Sequence, residues 1–213
     1  MSDSGVDRAT RGDVAIAVLA AGRGSRLGGN DAKPLLEWNG RPLVAWALEA
    51  ATSTGFDPVV VVTGYKRHEV GKVVRERFDG FKGVTAVHNR RWKQGIASSL
   101  HVAIDFVDPY TRVGAVCVGL ADQPRVGAEA YRRLAAAFAD GADFVVATYQ
   151  GQRANPVLLA RSLWPDARAL TGDVGARALM QRHEVLEVPC DDTGSPADVD
   201  TIADLDTLNQ ETP

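Results

Sequence analysis

The residues best suited to chemistry fall in one short segment. Residues 19–36 read LAAGRGSRLGGNDAKPLL, with glycines at 22, 24, 28 and 29. Glycine lets a backbone turn tightly and aim several N–H groups at one anion. Arg26 and Lys33 add positive charge at the same place. A phosphate chain carrying several negative charges needs both features. A second candidate is acidic. Asp122 closes the run Gly119-Leu120-Ala121-Asp122, just past an apolar stretch. An acid there stands at the carboxyl edge of a sheet, where open α/β folds bind ligands; a helix cap is its plainer reading. A third feature is the turn at residues 170–177 (LTGDVGAR), glycine-rich and leading into a helical pattern that carries Arg177. That combination reads as a second anion site, with a capped surface helix as the alternative.

These residues need a frame, and the hydrophobic pattern supplies one. Strands are expected over residues 14–20, 58–63, 84–87, 113–119 and 143–148, and helices over 42–53, 68–78, 95–106 and 129–139. Strands apolar on both faces belong to a parallel sheet covered by helices. The fold class expected is therefore a three-layer α/β/α Rossmann-like sandwich with a mostly parallel sheet. The second half is less regular: an edge strand at 155–160, a helix at 172–180, a strand at 185–188 and a last helix at 203–208. No repeat or linker divides the 213 residues, so one domain over 1–213 is expected, with loose tails at 1–12 and 209–213.

Composition narrows the function. A net charge of -3 argues against nucleic acid as a partner. The polar start is no secretory signal, and residues 14–21 are far short of the ~20 that a spanning helix needs, so no membrane partner and a cytoplasmic location are expected. Cys117 and Cys190 form no CxxC and read as a small buried residue and a loop thiol. His68, His88, His101 and His183 lack metal-ligand spacing; His88 is expected to end a strand. Trp38, Trp46 and Trp164 read as core or interface.

Three known loops compete for the glycine-rich segment. The dinucleotide fingerprint G-x-G-x-x-G fails, because Gly22, Gly24 and Gly28 are spaced one residue too long, and Thr63-Gly64-Tyr65 stands where an acid should hold the ribose. The P-loop fails because Lys33 is followed by Pro34. The third pattern, L-A-[AG]-G-x-[GS]-x-R-[ML]-G followed by Lys-Pro, is filled at every fixed position by Leu19, Ala20, Ala21, Gly22, Gly24, Arg26, Leu27, Gly28, Lys33 and Pro34. Five further segments follow in order: NRRWKQGIASSL at 89–100, LADQP around Asp122, GQRANPVLL at 151–159, LTGDVGAR at 170–177 and DVDTIADL at 198–205. On these segments the chain resembles the MobA-like nucleotidyltransferases, whose fold is that of the nucleotide-diphospho-sugar transferases. More closely it is similar to the molybdenum cofactor cytidylyltransferases.

The resemblance implies roles. Leu19, Ala20, Ala21, Gly22, Gly24, Ser25, Arg26, Lys33, Gly64, Ser98 and Ser99 would face the nucleotide. Arg26, Lys33 and Asp122 would be catalytic, and Asp122 and Asp200 would hold Mg²⁺ or Mn²⁺; the plainer reading of Asp200 is a helix start. Arg153, Asn155, Asp173 and Arg177 would contact the acceptor. The substrates implied are CTP and molybdopterin, joined with release of pyrophosphate, with a molybdoenzyme or maturation factor as a further partner. Leu19-Ala20-Ala21-Gly22 resembles the cytidylyl branch, whereas the guanylyl branch has L-A-G-G. The alternatives are a guanylyltransferase, a sugar- or alditol-phosphate nucleotidyltransferase, or a non-catalytic nucleotide-binding partner in maturation.

Overall fold

The computed structural model describes residues 11–24, 32–79 and 83–210. In chain order its strands are β1 (Asp13–Ala20), β2 (Glu37–Trp38), β3 (Arg41–Pro42), β4 (Val59–Thr63), β5 (Val84–His88), β6 (Val113–Leu120), β7 (Phe144–Tyr149), β8 (Gln152–Ala160) and β9 (Leu186–Pro189). The helices are α1 (Leu43–Thr52), α2 (Arg67–Phe78), α3 (Ile96–Val107), α4 (Ala128–Ala139), α5 (Trp164–Arg168) and α6 (Ile202–Gln210). Seven strands form one sheet in the order β5-β4-β1-β6-β8-β7-β9. All run parallel except β8, which is antiparallel to both β6 and β7.

Alternation along β1 shows how the layers form. Val14, Ile16, Val18 and Ala20 pack with residues of α1, α2 and α4, including Leu48, Val70 and Leu134. Ala15, Ala17 and Leu19 point the other way, onto Leu100 and Ile104 of α3 and Trp164 of α5. Both faces of the strand are buried, as a period of two inside a covered parallel sheet requires. A third, smaller core joins Leu43, Val199 and Leu208, with Trp38 packed against it. It ties the last segment of the chain to the short β2–β3 hairpin and so carries the acidic pair of residues 198–200 back to the sheet.

The fold class agrees with the sequence pattern, and the first nine elements lie where expected to within a residue or two; His88 ends β5. Three assignments change. Residues 155–160 do not make an edge strand: β8 is longer and lies between β6 and β7. It enters by a two-residue turn at Gln150 and Gly151, which forces an antiparallel neighbour, and its buried residues (Val157 to Ala160) gave no sign of direction. Residues 172–180 do not form a continuous helix; Gly172, Asp173 and Gly175 are poor helix formers, and a 3₁₀ turn begins only at Ala176. Residues 1–10 and 211–213 lie outside the described residues, but Arg11 and the stretch to Gln210, expected within loose tails, are placed. Arg11 pairs with Asp143 and lies over the Phe138 ring, and α6 reaches Gln210. The β2–β3 hairpin and α5 were not legible as elements. Cys190, read as a loop thiol, is fully buried.

Candidate active site

The glycine-rich segment leaves β1 pinned on both flanks. The carbonyl of Leu19 accepts from the Ala121 N–H at 3.1 Å, and that of Ala21 accepts from the Tyr65 N–H at 3.1 Å. Gly64 makes the second contact possible. A methyl there would fall 2.6 Å from Trp92 Cβ and 2.7 Å from the Ala21 carbonyl oxygen. Leu19, Ala20 and Ala21 are buried, and the chain emerges into solvent at Gly22. Ser25 and Arg26 lie outside the described residues.

The chain returns at Ala32, which is fully buried, and a 3₁₀ turn opening with Lys33 and Pro34 aims the lysine inward. Lys33 Nζ donates to Asp122 Oδ2 at 2.5 Å and to Asp200 Oδ1 at 2.5 Å. The two carboxylate oxygens therefore lie no further apart than twice that distance, although the residues are far apart in sequence. Asp122 is carried by the end of β6. Asp200 arrives by backbone pairing: the Val199 N–H donates to the Asp122 carbonyl at 3.0 Å, while the Val199 side chain sits in the third core. Asp204 then fixes the local geometry. Its Oδ2 accepts from the N–H groups of Asp200 (2.9 Å) and Thr201 (2.7 Å), and Thr201 Oγ1 accepts from the Asp204 N–H at 3.1 Å. This reciprocal cap starts α6. Burial alone would lower the pKa of Lys33, but the charges and hydrogen bonds of Asp122 and Asp200 outweigh it and hold the ammonium above the ordinary lysine range.

Two adjoining cavities open over this triad. The first, of about 220 Å³, is walled by residues 19–22 on one side, by Trp92, Gly95, Ile96 and Ser99 on the other, and has Lys33 and Asp122 at its floor. Of the two serines, only Ser99 lines it. Ser98 Oγ donates back to the carbonyls of Arg91 (3.0 Å) and Gly95 (2.8 Å), so its hydroxyl holds the helix entry instead. Asn89, fully buried, donates to both serine oxygens at 2.8 and 3.0 Å and receives the Arg91 N–H at 2.8 Å. Gly95 has φ +95°, and a methyl on it would strike the Gly172 carbonyl at 2.3 Å. That carbonyl accepts from the Ala97 N–H at 3.2 Å, so this N–H of α3 is spent on the protein rather than turned to the cavity.

The second cavity, of about 230 Å³, shares Leu19, Ile96, Leu120 and Asp173 with the first. Asn155, Asp173 and Arg177 line it. Arg153 does not: it is paired with Glu187 on β9, Nε donating to Oε1 at 2.7 Å, a reach across the intervening β7. Two polar lining residues had no site role in the sequence reading. Gln123 and Asp198 both face this cavity. Burial, then the negative charge of Asp122, pushes the Asp198 carboxyl above its ordinary value. Their signal was adjacency, since each lies within two residues of a chosen aspartate.

Among the described residues, no group of three or more His, Cys, Asp or Glu gathers as a metal site. The pair of Asp122 and Asp200 nevertheless fits a hard divalent cation. Such an ion takes oxygen ligands, often one or two carboxylates, and draws the rest from water and phosphate. The two carboxylates already converge on one positive charge, the Lys33 ammonium.

A glycine loop, a buried lysine and two acids at the carboxyl edge of a mostly parallel sandwich define a protein that handles phosphate groups. The model of the MobA-like NTP transferase domain matches residues 16–188. The chain belongs to that family and is a nucleotidyltransferase by class. It is similar to Rv0371c of Mycobacterium tuberculosis H37Rv, at 28% identity and a TM-score of 0.77, covering 95% of this chain and 100% of that one. A structure of Rv0371c in complex with manganese matches at 27% identity and a TM-score of 0.73, covering 94% and 100%. The bifunctional protein GlmU of Trichlorobacter lovleyi is 33% identical over 132 residues, 62% of this chain. The chain spans only 27% of that relative's length. Molybdopterin-guanine dinucleotide biosynthesis protein A of Archaeoglobus fulgidus shares the fold, at 19% identity and a TM-score of 0.64, covering 92% of this chain and 97% of that one. No helix among the described residues is long and apolar enough to cross a membrane.

Proposed function

We propose that the chain transfers CMP from CTP to the terminal phosphate of molybdopterin and releases pyrophosphate, with Mg²⁺ or Mn²⁺ at Asp122 and Asp200. The observation that carries this reading is the bridge from Lys33 to both aspartates at the floor of a cleft that continues into a second chamber. The backbone of residues 19–24 holds the triphosphate, and Arg26, from the same loop, adds its charge. The acceptor oxygen forms a bond to the α-phosphorus as the bond to pyrophosphate breaks. Negative charge spreads over the α-phosphoryl oxygens during that exchange, and in this reading the Lys33 ammonium neutralises it. A divalent ion held by Asp122 and Asp200 supplies further charge neutralisation and orientation when bound. No general base is required, because a phosphate monoester has its second pKa near about 6 and is ionised at neutral pH.

Ser99 faces the nucleotide, and Asn155, Asp173 and Arg177 hold the acceptor, with the guanidinium of Arg177 suited to its phosphate. The choice of CTP rests on the likeness of Leu19-Ala20-Ala21-Gly22 to the cytidylyl branch, with Ala21 among the residues lining the first chamber. One methyl discriminates by only about 1–3 kcal/mol, so the assay must test the base directly. One domain carries both chambers. Substrates that are soluble phosphates, and two buried free thiols, support a cytoplasmic location.

The GlmU matches favour a second reading, a sugar- or alditol-phosphate nucleotidyltransferase. The test is pyrophosphate release with each of four nucleoside triphosphates, with and without molybdopterin. Release requiring CTP and molybdopterin together is the expected result. Release with GTP instead, or with a sugar or alditol phosphate instead of molybdopterin, selects another transferase. Nucleotide binding without release under any condition selects a maturation partner that is not an enzyme.

A further inference from the structure

Lys33 holds the two aspartates as a tethered counter-ion. Its Nζ lies 2.5 Å from Asp122 Oδ2 and 2.5 Å from Asp200 Oδ1. Its main chain is fixed: Ala32 before it is fully buried, Pro34 follows it, and the Leu36 N–H donates to its carbonyl at 3.2 Å. Its side chain is only 11% exposed, less than that of either aspartate. The ammonium therefore depends on these two carboxylates rather than on water.

A small divalent ion bound by the same two oxygens would stand about 2.1 Å from each. That places it no further than about 4.6 Å from Nζ where Nζ now lies. Like charges so close repel, and a part-buried setting screens them poorly. Lys33 thus opposes an ion that arrives alone. Moving the ammonium aside does not remove the cost, because a covered side chain finds little water in place of two carboxylates. The first cavity changes the balance. Lys33 and Asp122 both line it, together with Gly22 at the start of the glycine-rich segment. A triphosphate there offers the ammonium new anionic partners within reach of its flexible four-carbon stem. The same triphosphate supplies oxygen ligands to the ion.

We infer that Lys33 makes metal binding conditional on the nucleotide: its ammonium holds Asp122 and Asp200 until a metal–triphosphate pair arrives, and then passes to the phosphates. This rests on the reading of the two aspartates as metal ligands. The identity of the base and of the acceptor does not enter. The lysine thereby acts twice, first as a barrier to a bare ion and then as a phosphate ligand.

The test is Mn²⁺ binding, read from loss of the free-ion electron paramagnetic resonance signal, for wild type and Lys33→Met, each with and without CTP. Without nucleotide, Lys33→Met binds Mn²⁺ about tenfold or more tightly than wild type, the factor expected when hydrogen bonds between charged groups no longer compete for the carboxylates. A residue that only supported the fold would not give tighter binding on removal. CTP raises the Mn²⁺ affinity of wild type by a larger factor than that of the variant, because only wild type has a lysine to move. If Lys33→Met does not fold, Lys33→Gln, which is polar and uncharged, takes its place. Equal Mn²⁺ affinity of the two proteins without nucleotide, or weaker binding by the variant, overturns the inference, and so does an equal CTP factor. Equal binding that Asp122→Asn abolishes sinks this inference and leaves the metal ligands standing. Binding by neither protein, with or without CTP, sinks both.

Discussion

The two chambers are built of different material. The first is lined largely by small residues at turns, Ala20, Ala21 and Gly22 after β1, Gly95 at the entry to α3 and Ala121 past β6, with Lys33 as its one buried cation among the described residues. The second is lined largely by longer side chains, gathered from β6, β8, the 170–177 turn and the segment before α6. A site of small residues is set by turns at which the chain can come close to a ligand, and it suits the part of the reaction common to such transferases, a triphosphate. A site of longer side chains can be rewritten one residue at a time, and it suits the part that distinguishes one transferase from another.

Substitutions that break this contrast fall in a clear order. The largest effect belongs to Asp122→Asn, which removes half of the carboxylate pair. Turnover, read as pyrophosphate release, should fall about 10³-fold or more while the near-UV circular dichroism keeps its native form; unchanged turnover would remove the aspartate from the site. Lys33→Met comes next, at about 10²–10³-fold in kcat. It carries a second signature. The lysine pKa is higher in the folded state, so its ion pairs stabilise fully below the unfolded value and are lost as pH rises through the folded one. The difference in melting temperature between wild type and Lys33→Met should therefore be flat from neutral pH to the ordinary lysine range and collapse above it. A difference that collapses near neutrality would mean that the ammonium is not what holds the pair.

The serine pair sharpens the comparison at intermediate size. Ser99→Ala should raise the KM for the nucleotide about tenfold, the cost of one hydrogen bond to a charged ligand. Ser98→Ala should lower the melting temperature and leave that KM within about twofold, because its hydroxyl is committed to Arg91 and Gly95. Equal effects on KM would mean that both hydroxyls face the nucleotide. The smallest effect is Arg153→Ala. With its guanidinium on Glu187, an exposed pair worth about 0–1 kcal/mol, it should leave the KM for the acceptor unchanged. A large rise would return Arg153 to the acceptor site.

The same contrast explains what was legible in the sequence. The strands β1, β4 and β6 are apolar on both faces and hence readable, and the loop after β1 carries its chemistry in contiguous residues. Lys33, Asp122 and Asp200 could be chosen by pattern, but their convergence depends on one backbone bond, Val199 to Asp122, and on the third core around Leu43. Neither has a local signature. The second half misled where direction and pairing decide. The apolar run of β8 reads the same in either orientation, and the arginine of residue 153 looks like an anion ligand until Glu187, two strands away on β9, is seen to hold it. Ser98 and Ser99 are identical to any pattern; only the buried Asn89 and the carbonyls of Arg91 and Gly95 tell them apart. Gln123 has no signal of its own in the sequence beside Asp122.

The central claim is that Lys33, Asp122 and Asp200 clasp one metal-bound triphosphate. Its most direct test is the electron paramagnetic resonance titration of Mn²⁺ with CTP, comparing wild type with Asp122→Asn and Asp200→Asn combined. The account predicts one Mn²⁺ bound per chain in the presence of CTP and its loss in the double variant. A double variant that binds Mn²⁺ and CTP as tightly as wild type would contradict it.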